Sequence, residues 1–541
     1  MLIFGALRTT WLASHPVVRR LFASVAAVIA ASVLLSACIS PSHPPFSETY
    51  SEPEARLLFE DAFSHIQQRY IDSVAIAPLA MNGMKALLGS QEPGDLQIEG
   101  EGEYVTLNRR GLQLAQFARP DPYDGNAWAD VTAALLQKAS DATPALHAMP
   151  AEDFYQAVMD GVVGKLDPFS RYASARAASN QRASREGFSG IGISIQTEAG
   201  LTHVVEVMLG TPAAEQGLQV GDLLTHADHQ PLGGLDGNDV VDRLRGPTGS
   251  SVVLTLQRGV PAQVLDITLR RAFVVPATVV GTIDRTVAVL RISSFNRNTA
   301  ADVERAYLQL ATAPSPVRGL ILDLRGNPGG LLDQAVLVAD LFLDDGLVIS
   351  TFGRHPASNS VFTADARQIA AGIPMAMLIN GRSASASELL AAALQDRGRA
   401  VAIGTATHGK GSVQSLVRMP NGGELVLTWS RMHAPSGYVL DGLGVLPSIC
   451  TASGDTQLSP AQVFASVDDY AMRVADWQRY DHVDRLRAAA LRKSCPAGLD
   501  QRDEDMALAK RLLLDPALYV RALAPAVESA AARAVATPGA S

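Results

Sequence analysis

Lysine is scarce in this chain. The 541 residues hold only six, Lys85, Lys138, Lys165, Lys410, Lys493 and Lys510, and the other 39 basic residues are arginine. No basic tract occurs, and 54 acidic residues outnumber 45 basic ones for a formal charge of −9. Both features argue against nucleic acid as a partner. Three cysteines are too few for a disulfide scaffold or a Cys-rich zinc module. Aromatic residues reach only 6% and charged residues 18%, yet 47% are hydrophobic. That is ordinary globular composition, and it excludes wholesale disorder and collagen-like repeats. Beyond one apolar run near the N-terminus, nothing reads as a membrane span. At roughly 100–200 residues per domain, the length implies three or four domains.

The one apolar run is Leu21–Leu35, behind Arg8, Arg19 and Arg20, with no acidic residue before Glu48. Basic start, apolar middle and small residues make a secretory signal over 1–37. It ends Leu35-Ser36-Ala37-Cys38, which resembles the bacterial lipobox and implies a lipid on Cys38. Residues 38–53 are rich in Ser, Pro and Glu and read as a flexible tether. Without residues 1–37 the chain keeps 42 basic against 54 acidic residues, a charge of −12. Cys450 and Cys495 then remain in an oxidising compartment, where they are expected to pair. Ile39 after Cys38, where Asp is the other option, points to the periplasmic face of the outer membrane.

Helical spacing of Leu57, Leu58, Phe59, Ala62, Phe63 and Ile66 opens a helical N-terminal region over 54–186. Its segment 89–150 reads as an insertion, with a strand-like stretch near Leu96–Leu107. From Gly187 the period changes to short β-branched runs with Gly and Asp turns, a β-rich module over 187–271. Over 272–450 apolar strands alternate with helices, which argues an α/β core. Residues 451–541 return to helical pattern as a C-terminal extension.

Three features in the core carry chemistry. Arg cannot lose its proton at workable pH, whereas a buried Lys can. In a chain so biased to Arg, Lys410 between Gly409 and Gly411 therefore stands out, although a solvated loop Lys has the same appearance. Ser383-Ala384-Ser385-Ala386-Ser387 follows an apolar strand and opens a helix. Such a turn exposes a hydroxyl beside free N–H groups at the positive end of a helix, and it equally suits a plain N-cap. Asn327-Pro328-Gly329-Gly330 follows another strand and forms either an anion-binding nest or a tight turn. Gly404–Gly411 nearly spells a phosphate-binding loop, but Gly411 stands where Ser or Thr must hold magnesium, and a strand follows. His-Glu-x-x-His, Ser-x-x-Lys and Gly-x-Ser-x-Gly are missing. No metal and no cofactor are expected.

Taken together, Leu322–Gly330, Asn380–Glu388, Gln395–Ala400, Gly404–Gln414, Pro435–Gly437 and Gly444–Pro447 resemble the carboxyl-terminal processing (tail-specific) protease family. Leu166–Tyr172 resembles the segment before that family's PDZ domain, and the likeness covers about 155–449. It implies a multidomain α+β protein: a helical N-terminal region, a PDZ-like β module, a crotonase-like α/β serine protease core and a helical extension. It also implies Ser385 as nucleophile and Lys410 as general base, 25 residues apart. Gln414 would orient Lys410, and Ala386 with Gly329 or Gly330 would hold the oxyanion. The family usually has Phe where His408 stands, which raises a rival Ser–His pairing.

Within the β module, Gly190, Ile191, Gly192 and Ile193 resemble the carboxylate-binding loop of a PDZ domain. A substrate's C-terminal tail would add as a strand beside Ile193–Ile195. The resemblance thus implies an exported serine endopeptidase acting on protein tails. Expected partners are substrate tails, a membrane through the lipid anchor, a helical-repeat adaptor lipoprotein and further copies of the chain. A non-catalytic tail-binding scaffold is the alternative.

Overall fold

The computed structural model describes residues 46–89, 95–100, 102–365, 368–452, 459–480 and 484–536. The segment 1–37 and Cys38 lie outside the described residues. At the centre is a six-stranded sheet in the order Val279–Asp284, Val287–Ile292, Gly319–Asp323, Met375–Ile379, Val401–Gly404, Ile449–Cys450. The first pair is antiparallel and every later pair parallel. Parallel strands need helices on both faces, so they read as unbroken apolar runs. Accordingly Gly319–Asp323, Met375–Ile379 and Val401–Gly404 are buried at every position.

Alternate residues serve opposite faces. Ala288, Leu290, Leu320, Leu322, Met375, Met377 and Ala402 pack on Val303, Ala335, Val338, Leu389 and Leu390 of the core's own helices. Val287, Val289, Ile321, Ala376, Leu378, Val401 and Ile403 pack on Val463, Val467, Leu508, Leu512 and Leu518. Those last residues belong to helices Pro460–Gln478, Asp503–Leu514 and Pro516–Ala536. The C-terminal extension is therefore the second layer of the protease core, not an appended tail. Among the described residues no helix is long and apolar enough to cross a membrane.

A second sheet runs Ser360–Thr363, Leu347–Phe352, Glu424–His433, Ser412–Arg418, with Arg171–Ala173 added beside Glu424–Val426. That last pairing brings the segment 166–172 to the core. The N-terminal region is less helical than its sequence pattern suggests. Its insertion holds a three-stranded sheet, Leu96–Glu99, Tyr104–Arg109 and Leu112–Ala118. The third strand escapes sequence reading because its apolar residues Leu112 and Leu114 are exposed, so their spacing answers to no buried face. The expected tether also ends early. Thr49 bridges Pro150, and Tyr50 is buried with its hydroxyl on the Ala133 carbonyl at 2.9 Å.

The β module is a sheet in the order Gln263–Arg270, Ser251–Arg258, Leu223–Ala227, Leu201–Val207, Ile193–Glu198. It closes on its own core of Ile191, Val204, Leu224, Val240, Val252, Leu254 and Leu269. Ile193–Glu198 is left at the sheet edge, beside helix Gly237–Leu244.

Candidate active site

The three serines of the strand-to-helix turn have different fates. Ser383 is fully buried; its hydroxyl donates to the Leu324 carbonyl at 2.8 Å and accepts from the Asn380 N–H at 3.0 Å. Ser387, equally buried, donates to the Asn327 carbonyl at 2.9 Å. Ser385 alone is half-exposed and lines a cleft. Its backbone sits at φ 55°, ψ −114°, a region an L-residue avoids at a cost of about 1–3 kcal/mol. The strain turns Ser385 outward while its neighbours fasten the turn on both sides. Local pattern shows the turn but not which hydroxyl it presents; the family resemblance alone points to Ser385.

Opposite lies the glycine loop, organised by the fully buried Asn327. Its side-chain oxygen accepts the Gly329 N–H at 2.9 Å, and its amide donates to the Ile292 carbonyl at 2.9 Å. Its own carbonyl accepts the Ala384 N–H at 3.0 Å. Gly329 lies so close to the nucleophile turn that a Cβ there would stand 2.9 Å from Ser385 Cβ and 3.0 Å from Ala386 N. The Gly329 N–H is thus already engaged. Among the described residues, the Gly330 and Ala386 N–H groups have no acceptor within the protein. Of the expected pair of glycines, Gly330 is the one with a donor to offer.

Lys410 is half-buried on the loop between strands Val401–Gly404 and Ser412–Arg418. Its Nζ sits 5.3 Å from the Phe169 ring centre. Burial, and then the nearby Arg171 charge, push the Lys410 amine below the ordinary lysine range, against Glu388 and Asp167. A cation beside an aromatic face is held by about 0.5–2 kcal/mol, so the ring partly offsets that lowering. Gln414 lines the same cleft, at a register shift between Val413 and Gln414; such bulges re-aim side chains near active sites. Its amide donates to Ser412 Oγ at 2.9 Å rather than to Lys410. His408 is exposed and does not line the cleft. Asp323 and Asp396 hold backbone and arginine, Asp323 through a two-pronged pair with Arg325 and Asp396 by accepting the Ser436 N–H.

One residue named in the sequence only as the end of the Asn380–Glu388 segment proves central. Glu388 is fully buried. Its carboxylate accepts the Thr407 hydroxyl at 2.5 Å, the Gly409 N–H at 2.6 Å, the Ser385 N–H at 2.8 Å and the Lys410 N–H at 2.9 Å. One anion therefore ties the backbone of the nucleophile turn to the backbone of the lysine loop. Burial pushes its carboxyl up, and these hydrogen bonds oppose the shift. Ser-x-x-Glu at a helix start is a capping-box signature, and that was the available signal. The cleft so assembled measures about 420 Å³ and includes Ser385, Ala386, Gly329, Gly330, Lys410 and Gln414.

A second groove of about 380 Å³ lies between the edge strand and helix Gly237–Leu244, and Gly190, Ile191, Gly192 and Ile193 line it. Gly192 has φ 85°, and a Cβ there would stand 2.3 Å from the Thr211 side chain. Gly192→Ala is therefore expected to distort the loop and weaken tail-peptide binding at least tenfold, about 1.4 kcal/mol. Fluorescence anisotropy with a labelled peptide checks this; unchanged affinity would remove the loop from recognition. Arg245 donates to Asn180 at 3.1 Å and stacks 5.2 Å from the Phe188 ring. Ser184, on helix Ala175–Glu186, lines both this groove and the catalytic cleft.

The sequence pattern of peptidase family S41 matches residues 286–451, and that of the PDZ domain matches 203–258. A carboxy-terminal-processing protease of Bartonella bacilliformis is 38% identical over 294 residues, which is 54% of this chain and 68% of that protein. A CtpA-like serine protease of Staphylococcus epidermidis is 32% identical over 297 residues, 54% of this chain and 60% of the relative. The solved photosystem II D1 C-terminal processing protease is 25% identical, covering 73% of this chain and 92% of its own, with a TM-score of 0.37. The match to this peptidase family and to these proteases makes the protein a serine-type peptidase, with a PDZ domain joined to its core. It belongs to peptidase family S41, among the carboxy-terminal-processing proteases.

Proposed function

We propose that this protein is an exported endopeptidase in which Ser385 is the nucleophile and Lys410 the general base. The observation that carries the reading is selective placement. Of three clustered serines only Ser385 reaches the cleft, and it shares that cleft with a half-buried lysine whose charged form burial disfavours. Neutral Lys410 leaves the Phe169 ring and takes the Ser385 hydroxyl proton as Oγ attacks the peptide carbonyl. The ammonium then protonates the leaving amine, and water, deprotonated by the same lysine, releases the acyl group. The Ala386 and Gly330 N–H groups face the developing oxyanion, each such donor typically contributing about 3 kcal/mol. Gln414 steers the lysine as it moves.

The PDZ groove selects the substrate. Its free edge, Ile193–Glu198, accepts a C-terminal tail as an added strand, with the terminal carboxylate at Ser189–Gly192. The signal-like segment 1–37, Cys38 as lipid attachment point and the Cys450–Cys495 pair together support action on exported proteins at a bacterial membrane. An adaptor or self-association would extend the same reading. The test compares hydrolysis of a tail-bearing peptide by wild type and Ser385→Ala. Hydrolysis falling to background in the variant, with tail binding intact, is expected; equal hydrolysis by both would leave a tail-binding scaffold.

A further inference from the structure

The lysine loop is held from a second side, by a residue outside the family match. Arg492 ends helix Arg485–Arg492 of the C-terminal extension and is half-buried. Its Nη2 donates to the Thr407 carbonyl at 2.8 Å and its Nη1 to the Leu443 carbonyl. A Cβ on Gly409 would stand 3.2 Å from that Nη1. Thr407 and Gly409 are the same residues whose hydroxyl and N–H bind Glu388. The loop that presents Lys410 is thus gripped by an anion from the nucleophile helix and by a cation from the extension.

Arg492 is itself fixed. Three residues on, Cys495 is buried and bonded to Cys450, the end of the core's last strand. The Cys495 N–H donates to the Arg492 carbonyl at 3.2 Å. Just beyond, the Gly498 carbonyl accepts the Gly381 N–H at 2.7 Å, and the Asn380 amide donates to the Leu499 and Asp500 carbonyls at 3.3 and 3.1 Å. The extension therefore contacts both catalytic turns from behind, without entering the cleft.

We propose that Arg492 is a positioning residue for the Lys410 loop, and that the Cys450–Cys495 bond holds it there, so that the C-terminal extension is part of the catalytic apparatus. This rests on the Lys410 reading above. A guanidinium bridging the Thr407 carbonyl of the loop and the Leu443 carbonyl of the neighbouring segment ties the two together in a fixed geometry, which a single N–H could not do. Proton transfer is sensitive to such placement, and displacement of about 1 Å can cost about 100-fold. The charged groups facing Glu388 are Arg492, His408 and Lys410. Removing Arg492 leaves that carboxylate with less positive charge and so favours its protonated form, which no longer accepts all of its donors.

The experiment uses the full chain with a tail-bearing peptide. Arg492→Met is expected to lower kcat about 10- to 100-fold, leave KM and tail affinity near wild type, and raise the pH at which Glu388 protonation adds a second loss of activity on the acid side of the Lys410 limb. Arg492→Lys, which keeps the charge and hydrogen-bond donors but lacks the planar fork that spans both carbonyls, should recover part of the loss. Reducing the native protein with dithiothreitol should lower kcat in the same KM-independent way. Lys410→Ala is run alongside: turnover by that variant would sink the base assignment itself. With Lys410→Ala inactive, wild-type kcat and pH profile in Arg492→Met would overturn the role of Arg492. If Arg492→Met does not fold, Arg492→Lys and the reduced wild type carry the test, and full activity in both overturns the proposal.

Discussion

Lys410→Arg is expected to abolish turnover, lowering kcat/KM by at least about 10⁴-fold, the scale seen when one member of a catalytic unit is removed. The substitution keeps the positive charge, the length and the place over Phe169. It removes only the ability to exist unprotonated, because a guanidinium does not lose its proton at workable pH. The wild-type pH profile carries the same information. A base must be neutral to accept a proton, so activity rises as pH climbs through the Lys410 pKa. Burial and Arg171 lower that pKa, so the rising limb falls below the ordinary lysine range. His408→Ala should leave rate and limb close to wild type, since His408 is exposed outside the cleft. Stopped assays of peptide release across pH check all three proteins. Loss of turnover in His408→Ala with retention in Lys410→Arg would reverse the assignment to a Ser–His pair.

Glu388→Ala should damage stability and catalysis together. It leaves the Ser385, Gly409 and Lys410 N–H groups and the Thr407 hydroxyl without their acceptor. An abandoned buried donor costs about 1–3 kcal/mol, so a loss above about 3 kcal/mol is expected. That is a large fraction of a typical stability of about 5–15 kcal/mol. In the protein that still folds, kcat should fall about 100-fold, because the nucleophile turn and the lysine loop lose their shared tie. Glu388→Gln is informative in another way. It escapes the cost of burying a charge, but it turns an NH₂ toward groups that also donate. The wild-type carboxyl is raised by burial, so its ionisation costs stability as pH rises through that range. The fold keeps the carboxylate despite this because three backbone donors need it. Urea denaturation and single-turnover kinetics on each variant measure both effects. A stability loss under about 1 kcal/mol together with kcat within twofold of wild type would show that the four hydrogen bonds are dispensable.

Much of the site is legible in the sequence because its parts are local. A Gly-flanked lysine in a lysine-poor chain, a serine cluster at a strand-to-helix turn and a Gly-Gly loop after a strand are each contiguous. Periodicity likewise separates the β module from the α/β core, since each segment's apolar pattern answers to its own hidden face. Harder to see is any role that depends on two distant segments. Asn327 reads as a turn residue until its side chain is found bonded to both Gly329 and the Ile292 carbonyl. Phe169 and Arg171 sit far from Lys410 in the chain, and the pairing of Arg171–Ala173 with Glu424–Val426, with Asp167 and Ser170 bonded to Thr428, brings them to it.

The sequence by itself determines a β-rich module, an α/β core, a serine cluster on a strand-to-helix turn and a Gly-flanked lysine on a loop; what these do together enters only through the family resemblance. Composition and local patterning suffice because those features follow from backbone propensity and the period of apolar residues. Tertiary structure decides what local pattern leaves open: that Ser385, to which only the resemblance points, is the serine facing the cleft, which glycine N–H remains unused and which carboxylate joins the two turns. It also decides that the C-terminal helices cover the second face of the central sheet. The strands announce in sequence that both faces are buried, but any apolar helix could have served as the cover. The packing of Val463, Leu508, Leu512 and Leu518 on Val287, Ile321, Leu378 and Ile403 makes the extension part of the core, while Tyr470, Trp477, Ala488 and Cys495 pack in the cluster on the other face and bring Arg492 to the back of the lysine loop.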